Sequence, residues 1–467
     1  MKRTLYHILI LLTFYLAGFQ AHAQSASVSD EVILQLQKEA LGSALAWDIL
    51  ASLTSEVGPR MGGTEADLAA VKWAVDKMRS MGFERVWTEP VSFPRWVRNG
   101  ESAEVLTPAA QKLAVTAIGG SPSSHGPLEA EVVQFATLEA LEAASSEDVQ
   151  GKIVFLSTRM TKTREGSGYG NTVVNRSRGP YVAANKGASA LLIRSVGTDS
   201  DRLPHTGMMS GSEPGNPVPA AAISNPDADN LMLMLTREAP VRVRLDLDVG
   251  FNGEATSYNV IGEFNGSEAD KQHVLLGAHL DSWDLGTGAV DDGAGVAIVL
   301  AAAKLVADLP MRPRHGVRVV LFANEEQGVY GGKAYAKLHG ADLNTHLIGA
   351  ESDLGADLIY RFKTRVLPQA EPAVALLAKH LKSLGIEREN VELASGGADV
   401  GQMRKLGLPV IDLNQDASRY FDLHHTANDT LDKVNPDHLR QNLAAWVTLV
   451  YVTANSMTAF GPVDPSE

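Results

Sequence analysis

The chain of 467 residues contains no cysteine. Disulfide bonds are therefore absent, and neither a catalytic thiol nor a zinc site built on thiolates can be formed. Lipid attachment of the bacterial type, which needs a cysteine directly after a signal sequence, is excluded for the same reason. Any metal site must use nitrogen and oxygen ligands from histidine, aspartate and glutamate.

Basic residues are also in deficit. Lysine and arginine number 41 against 55 aspartates and glutamates, and the formal net charge is −14. So acidic a chain disfavours nucleic acid and anionic membrane surfaces as partners, because both repel negative charge. With 45% hydrophobic and 21% charged residues, the composition is otherwise that of an ordinary globular protein, and the length predicts two or three units.

Long apolar runs are scarce, and the one that stands out opens the chain. Lys2 and Arg3 precede a mostly apolar run over Leu5–Phe19, and an Ala-His-Ala sequence ends at Ala23. This order predicts a secretory signal peptide over residues 1–23, cleaved after Ala23, and a secreted or periplasmic protein with no membrane contact afterwards. The alternative is a retained anchor, which the shortness of the run disfavours.

The pattern of apolar and polar residues changes twice along the chain after the signal peptide. Residues 24–110 begin with helical periodicity and include a strand over Val86–Val97, which we expect Pro94 to break. Residues 111–250 carry short β-like runs separated by Gly, Ser and Pro loops, and they predict a β-rich insert. The alternative is a continuation of one large domain. Within this block, we expect the loop Thr161–Gly179 to be mobile.

Residues 251–467 alternate between strand and helix patterns. Strands are predicted over His273–Ala278, Val317–Ala323 and Thr345–Ala350, and Gly293–Leu309 predicts a buried helix. This alternation is typical of an α/β fold with a mostly parallel sheet flanked by helices.

Five side chains that can bind metal follow these elements, and most of them stand where a strand ends. Because ligand sites in such sheets form outside the carboxyl ends of the strands, we expect the five to meet at one rim. A set of nitrogen and oxygen ligands predicts two zinc ions that activate water for attack on a carbonyl. The candidate ligands are His279, Asp291, Glu326, Asp353 and His425.

A carboxylate has two oxygens, so Asp291 can bridge two ions. His279 with Asp353 would then complete one ion, and Glu326 with His425 the other.

Two further carboxylates are predicted to serve these ligands. Glu325 lies next to a ligand, and we interpret it as the base that takes a proton from water and passes it to the leaving amine. Asp281 lies two residues after His279, where it can fix the imidazole tautomer.

Two assignments stay open. Glu351 and Asp353 would face the same side of an extended chain, so either can be the ligand, and Asp353 is preferred because it lies nearer the rim. His424, beside His425, either stabilises an oxyanion or hydrogen-bonds a loop.

The carboxylates near the candidate ligands predict which end of a substrate the site binds. Asp284, Asp292 and Glu351 stand beside the candidate ligands and could receive the α-ammonium group of a substrate. Alternatively, they only face solvent or orient ligands.

The motifs that carry these residues resemble metallopeptidase family 28, and the resemblance covers nearly the whole mature chain. The upstream sequences S-E-V-G-P-R-M-G-G-T (55–64) and F-P-R-W-V-R (93–98) are similar as well. The motifs are G-A-H-L-D-S-W-D (277–284), G-A-V-D-D-G-A-G (288–295), A-N-E-E-Q-G (323–328), E-S-D-L-G (351–355) and F-D-L-H-H-T-A-N-D-T (421–430).

The resemblance implies a zinc-exopeptidase fold of the phosphorylase/hydrolase-like kind, two Zn²⁺ on the five ligands, and Glu325 as base. It implies that the insert at 111–250 is a protease-associated domain. It also implies an exported aminopeptidase or dipeptidase, acting on dipeptides or short peptides with a free N-terminus and often dimeric. The alternatives are a glutamate-type carboxypeptidase, a one-zinc glutaminyl cyclase and a non-catalytic, receptor-like protein.

Overall fold

The computed structural model describes residues 28–210, 214–268 and 272–465. The predicted signal peptide at residues 1–23 lies outside the described residues. In the described ranges, no helix combines the length and the apolar character needed to cross a bilayer.

Within the described residues, fourteen strands form one continuous sheet. Neighbours follow the order β13-β12-β14-β11-β9-β10-β8-β4-β5-β6-β7-β3, and β1 pairs with β2 and β8. The strands are β1 (Arg85–Thr107), β2 (Gln111–Leu113), β3 (Val115–Ala117), β4 (Leu128–Phe135), β5 (Ile153–Leu156), β6 (Ala190–Arg194), β7 (Ala220–Ile223), β8 (Arg242–Phe264), β9 (His273–His279), β10 (Gly316–Phe322), β11 (His346–Glu351), β12 (Ile359–Arg365), β13 (Glu387–Arg388) and β14 (Val410–Gln415).

Fifteen α-helices accompany the sheet in the part of the chain that the structure describes. A π-turn spans Ala289–Gly293, directly before the tenth helix. The helices are α1 (Asp30–Gly42), α2 (Leu45–Glu56), α3 (Glu65–Ser80), α4 (Leu138–Ala143), α5 (Ser146–Val149), α6 (Ser167–Thr172), α7 (Val174–Ser177), α8 (Gly179–Asn185), α9 (Asn225–Leu235), α10 (Ala294–Ala307), α11 (Tyr330–His339), α12 (Glu371–Lys382), α13 (Val400–Arg404), α14 (Tyr420–Leu423) and α15 (Pro436–Ala454).

The centre of the sheet is parallel, as the alternating pattern predicts. Strands β14, β11, β9 and β10 run in the same direction, and every residue of β9, β10 and β11 is buried. Helix α10 is apolar on all sides because it packs against β9, α2 and α15 at once. The carboxyl ends of β9, β10 and β11 consequently lie at one edge of the sheet.

A long antiparallel ribbon connects this centre to the insert. Strands β1 and β8 pair along almost their whole length, and β8 pairs with β10 at one end and with β4 at the other. The predicted boundary at residue 250 falls inside β8. The expectation that Pro94 breaks its strand is wrong, because the register shifts between Pro94 and Trp96 and the strand continues.

The insert is a layer of strands and helices whose buried residues belong to two apolar clusters. Val154 and Leu191 belong to the main core, and Ile153 and Leu192 to a second cluster that also contains Trp96 and Trp283. Strands β4, β5, β6 and β7 are parallel neighbours, and six helices, α4 to α9, accompany them, where the sequence predicts mainly strands. The loop expected over Thr161–Gly179 contains α6 and α7, and it packs against α14 through Tyr169 and Phe421, whose rings stack at 4.9 Å. The segment is therefore partly helical and packed against α14, and its mobility stays a prediction.

Candidate active site

The rim of the parallel sheet carries the candidate ligands. His279 is the last residue of β9, Glu326 lies in the turn after β10, and Asp353 follows β11 by two residues. Asp291 lies in the π-turn before α10, and His425 follows α14 by two residues. Side chains separated by up to 146 positions therefore meet because their strands end together.

The five side chains lie within contact of one another around Asp291. His279 Nε2 is 3.0 Å from Asp291 Oδ1 and 3.6 Å from Asp353 Oδ1. On the other side, His425 Nε2 is 3.3 Å from Asp291 Oδ2 and 2.9 Å from Glu326 Oε2. Asp291 thus directs one oxygen toward each pair, which is the arrangement that a bridging carboxylate needs.

This donor set fits metal ions. Ligand atoms of His279, Asp291 and Glu326 lie within 4.8 Å of one another, as do those of His279, Asp292 and Asp353. Glu326 Oε1 is buried and, among the described residues, has no hydrogen-bond partner. A buried carboxylate oxygen without a donor is costly unless a cation completes it.

The pKa shifts of the His279 and His425 imidazoles also indicate a site for cations. Burial lowers the pKa of His425, but the charge of Glu326 and the bond to Asp291 overcome it and raise that pKa to about 10. The pKa of His279 is likewise raised well above its ordinary value, because contacts with Asp281, Asp291 and Asp353 outweigh burial. The carboxylates therefore require positive charge between them, which metal ions would supply in place of protons.

Asp281 connects the two halves of the rim. His279 Nδ1 donates to the carbonyl of Asp281 at 3.0 Å and lies 3.5 Å from its carboxylate. That carboxylate accepts the backbone N–H groups of Glu325 at 2.9 Å and of Glu326 at 3.3 Å. Asp281 therefore fixes the imidazole and also holds the turn that carries Glu325 and Glu326.

Glu325 is suited to proton transfer. Burial raises its pKa well above the ordinary value, and it does so despite the opposing charge of His279. The side chain lines the cavity of the site, next to Asp353.

The carboxylates that the sequence leaves unassigned are engaged in structural bonds. Glu351 accepts the backbone N–H groups of residues 398, 399 and 400, at 3.0, 3.1 and 2.5 Å. Asp284 pairs with Arg98 at 2.9 Å, and Asp292 accepts two backbone amides at 3.1 Å each. None of the three is among the described residues that line the cavity, and their bonds agree with the alternative, structural role. A role in receiving a substrate ammonium group stays a prediction.

His424 combines a loop contact with a place at the cavity. Its carbonyl accepts Nδ1–H of His205 at 2.7 Å, which anchors the loop. Its ring stacks on that of His425 at 3.5 Å, and its Nε2 lies 3.6 Å from Asp291 Oδ2. Burial, with the charge of His425, lowers the pKa of His424 well below its ordinary value, so the ring is neutral.

The insert clasps the loop that carries His425. The N–H of Thr206 donates to the His425 carbonyl at 3.0 Å, and the Thr206 carbonyl accepts Nδ1–H of His425 at 3.2 Å. This bond assigns the proton to Nδ1 and leaves Nε2 facing the carboxylates. Next to Thr206, His205 is held by Asp199, with Nε2 at 2.5 Å from Oδ2. We name residues 199–207 the clasp.

A cavity of about 300 Å³ opens onto the rim. The insert supplies part of its wall, and α14 supplies Tyr420 and Phe421. Sequence reasoning misses the insert residues because no motif marks them and they lie 71 to 110 positions before the first ligand. They are Tyr169, Arg176 and Met208.

Two more residues support the site, Arg60 and Asp429. Both lie in motifs of the sequence, but the motifs alone assign them no role. The guanidinium of Arg60 is fully buried and donates to the carbonyls of residues 280, 287 and 288 at 2.5, 2.8 and 2.9 Å. The carboxylate of Asp429 accepts the N–H groups of Val290 at 2.6 Å and Asp291 at 3.2 Å. Both hold the backbone on either side of Asp291.

The fold and this rim are those of a metallopeptidase. The model of peptidase family M28 matches residues 259–450. Carboxypeptidase Q from Bos taurus is 33% identical over 412 residues, which cover 88% of this chain and 85% of the bovine protein. The chain therefore belongs to peptidase family M28, as its motifs predict.

Solved structures agree with this assignment. A peptidase M28 precursor from Shewanella amazonensis is 50% identical and superposes with a TM-score of 0.90, over 93% of this chain and 98% of that one. A zinc aminopeptidase from Bacillus subtilis, 19% identical, superposes with a TM-score of 0.63 over 88% of this chain and 93% of that one, which shows the shared fold.

Proposed function

We propose that the chain is an exported, dinuclear-zinc exopeptidase that hydrolyses dipeptides or short peptides with a free N-terminus. The observation that carries this proposal is the division of the Asp291 carboxylate between two histidine–carboxylate pairs at the wall of a small cavity.

The residues for the two ions follow from that division. His279 and Asp353 would hold one ion, Glu326 and His425 the other, and Asp291 both. Bound zinc supplies Lewis acidity and lowers the pKa of water, so that a nucleophile is available at neutral pH.

The side chain of Glu325 accepts the proton of the attacking water and returns it to the leaving amine. Burial raises the pKa of its carboxyl group, which favours uptake of that proton. Asp281 holds this base in place through the backbone of the same turn.

The free N-terminus requirement rests on the family resemblance. The four carboxylates that line the cavity are the proposed zinc ligands and base, so the ions would take up their charge: Asp291, Glu325, Glu326 and Asp353. A volume of about 300 Å³ is at the small end for ligand sites, which favours one or two residues of substrate. We further propose that residues 111–250 are a protease-associated domain that walls the cleft.

The decisive experiment combines metal content with a substrate panel. Purified mature protein should contain two zinc ions per chain by elemental analysis, and the zinc-loaded enzyme should hydrolyse dipeptides or aminoacyl arylamides. Acetylation of the N-terminus of a good dipeptide should abolish its cleavage.

Each alternative has its own signature in the same panel. A single tightly bound zinc would favour the glutaminyl cyclase, and efficient cleavage of acetylated peptides that end in glutamate would favour the glutamate-type carboxypeptidase. Loss of metal binding altogether would favour the receptor-like protein. Sedimentation of the same sample tests the expected homodimer.

A further inference from the structure

The cavity contains one buried guanidinium that the proposed reaction does not use. Arg176 is only 6% exposed. Its Nη2 donates to Tyr169 Oη at 2.6 Å, its Nη1 to the Thr206 carbonyl at 3.2 Å, and its Nε to the Met208 carbonyl at 3.3 Å. All three acceptors are neutral, and among the described residues no carboxylate pairs with this side chain. Its positive charge is therefore held in place but not compensated locally.

Arg176 lies directly beside a candidate ligand. The same Thr206 carbonyl accepts hydrogen bonds from Arg176 Nη1 and from His425 Nδ1, each at 3.2 Å. A Cβ atom built on Gly207 would lie 2.2 Å from Arg176 Nη1 and 2.7 Å from His425 Nδ1, so only glycine leaves room for both groups. Consecutive residues of an extended peptide are spaced by about 3.5 Å, so a group one residue beyond the scissile bond is within reach of this guanidinium.

Donors remain available for an anion. A guanidinium has five N–H groups, and three of Arg176 are used by the protein. Tyr169 Oη accepts one of these bonds, so its own O–H can still donate into the cavity. A planar guanidinium with two free N–H groups matches a carboxylate better than any other common anion of a peptide.

We propose that Arg176, assisted by Tyr169, binds the free α-carboxylate of the residue that the enzyme releases. This inference rests on the proposed function and narrows its substrate class to dipeptides with both ends free. The carboxylate of such a substrate then meets the positive charge of Arg176. A third residue would move the carboxylate away by about 3.5 Å, and an amidated C-terminus would remove its charge.

The test compares one dipeptide with its C-terminal amide. For zinc-loaded wild-type enzyme, kcat/KM is expected to be about 10- to 100-fold higher for the acid than for the amide, which is the range of a hydrogen bond to a charged group. In Arg176→Gln this ratio should fall to within about 3-fold, mainly through a higher KM for the acid. Arg178→Gln is the matched control, because Arg178 lies two positions on, is partly exposed, and bonds Glu142 at 3.2 Å outside the cavity. Its ratio should be that of wild type.

Three results would each overturn the inference. If wild-type enzyme cleaves the acid and the amide equally well, the inference is overturned without any variant, while the proposed peptidase function stands. If Arg176→Gln slows both substrates by the same factor, the residue is structural and the inference is wrong. A dipeptide amide with glutamate as its second residue separates the two sources of a carboxylate, since its efficient cleavage would place a side-chain carboxylate at Arg176 and overturn the assignment to the α-carboxylate. Failure of zinc-loaded wild-type enzyme on every dipeptide and arylamide would instead reject the proposed function itself.

Discussion

Glu325→Gln should separate proton transfer from metal binding. Among the described residues, no hydrogen-bond partner holds the Glu325 side chain, and its turn is fixed through the backbone. Asp281 accepts the Glu325 N–H at 2.9 Å, and the Glu325 carbonyl accepts the N–H groups of Gly328 at 2.8 Å and Val329 at 2.6 Å. Glutamine has the same size, so the substitution removes no packing contact. We expect kcat to fall by about 10² or more, which corresponds to roughly 2.7 kcal/mol in the barrier, with unchanged Tm and metal content.

The neighbouring substitution Glu326→Gln serves as the contrast. Glu326 Oε2 is 2.9 Å from His425 Nε2, and its other oxygen is buried without a partner. Glutamine has one oxygen fewer and no charge, so zinc affinity should fall by at least about 10-fold. Both variants are dialysed against limiting zinc, analysed for metal content, and then assayed at saturating zinc. Near-normal turnover in Glu325→Gln, or equal loss of zinc in both variants, would refute the division of roles.

Four other substitutions test the structure at three separate points. Asp353→Asn should lower zinc affinity by about 10-fold or more. Glu351→Gln should instead lower Tm and leave zinc affinity unchanged, because Glu351 accepts hydrogen bonds from backbone amides. Elemental analysis and thermal melts measure the two effects, and the reverse ranking would transfer the ligand role to Glu351. Burial, with the charge of Arg318, lowers the pKa of His346 to about 3. The unfolded chain therefore binds a proton below about pH 6.5 that the folded protein does not bind, and the stability from this group is present above that pH and lost as the pH falls toward 3. Between pH 7 and pH 5, wild type should lose roughly 2 kcal/mol more unfolding free energy than His346→Gln in urea titrations, and an equal loss would contradict this account. Gly207→Ala should reduce zinc affinity and activity together, because its φ of +128° and its close neighbours admit no Cβ, and unchanged zinc binding would show that the clasp does not position the imidazole.

Much of the fold was open to prediction because its determinants are local. The strands β9, β10 and β11 are continuous apolar runs, since both faces of a central parallel sheet are covered. Ligands placed directly after such runs must share a rim, so the convergence of His279, Glu326 and Asp353 follows from the order of elements.

What stayed out of reach depends on contacts between distant segments. Glu351 and Asp353 look equivalent by alternation, but β11 ends at Glu351, so the alternation of an extended strand no longer applies at Asp353. The amides that engage Glu351 come from residues 398–400, which no local pattern connects to it. In the sequence, Arg176 is one of several charged residues in a polar loop. It becomes a buried residue of the cavity wall only because the clasp and α14 pack next to it.

The clasp also has a thermodynamic consequence. Folding of residues 199–207 and ordering of the His425 loop are coupled, because each provides hydrogen bonds that the other needs. Coupling between two equilibria is reciprocal, so occupancy of the rim by cations must protect the insert against local unfolding to the same extent that the folded insert strengthens cation binding. If zinc binds at the rim as proposed, the insert and the rim form one cooperative unit, and the resistance of the insert to proteases measures how fully the rim is loaded.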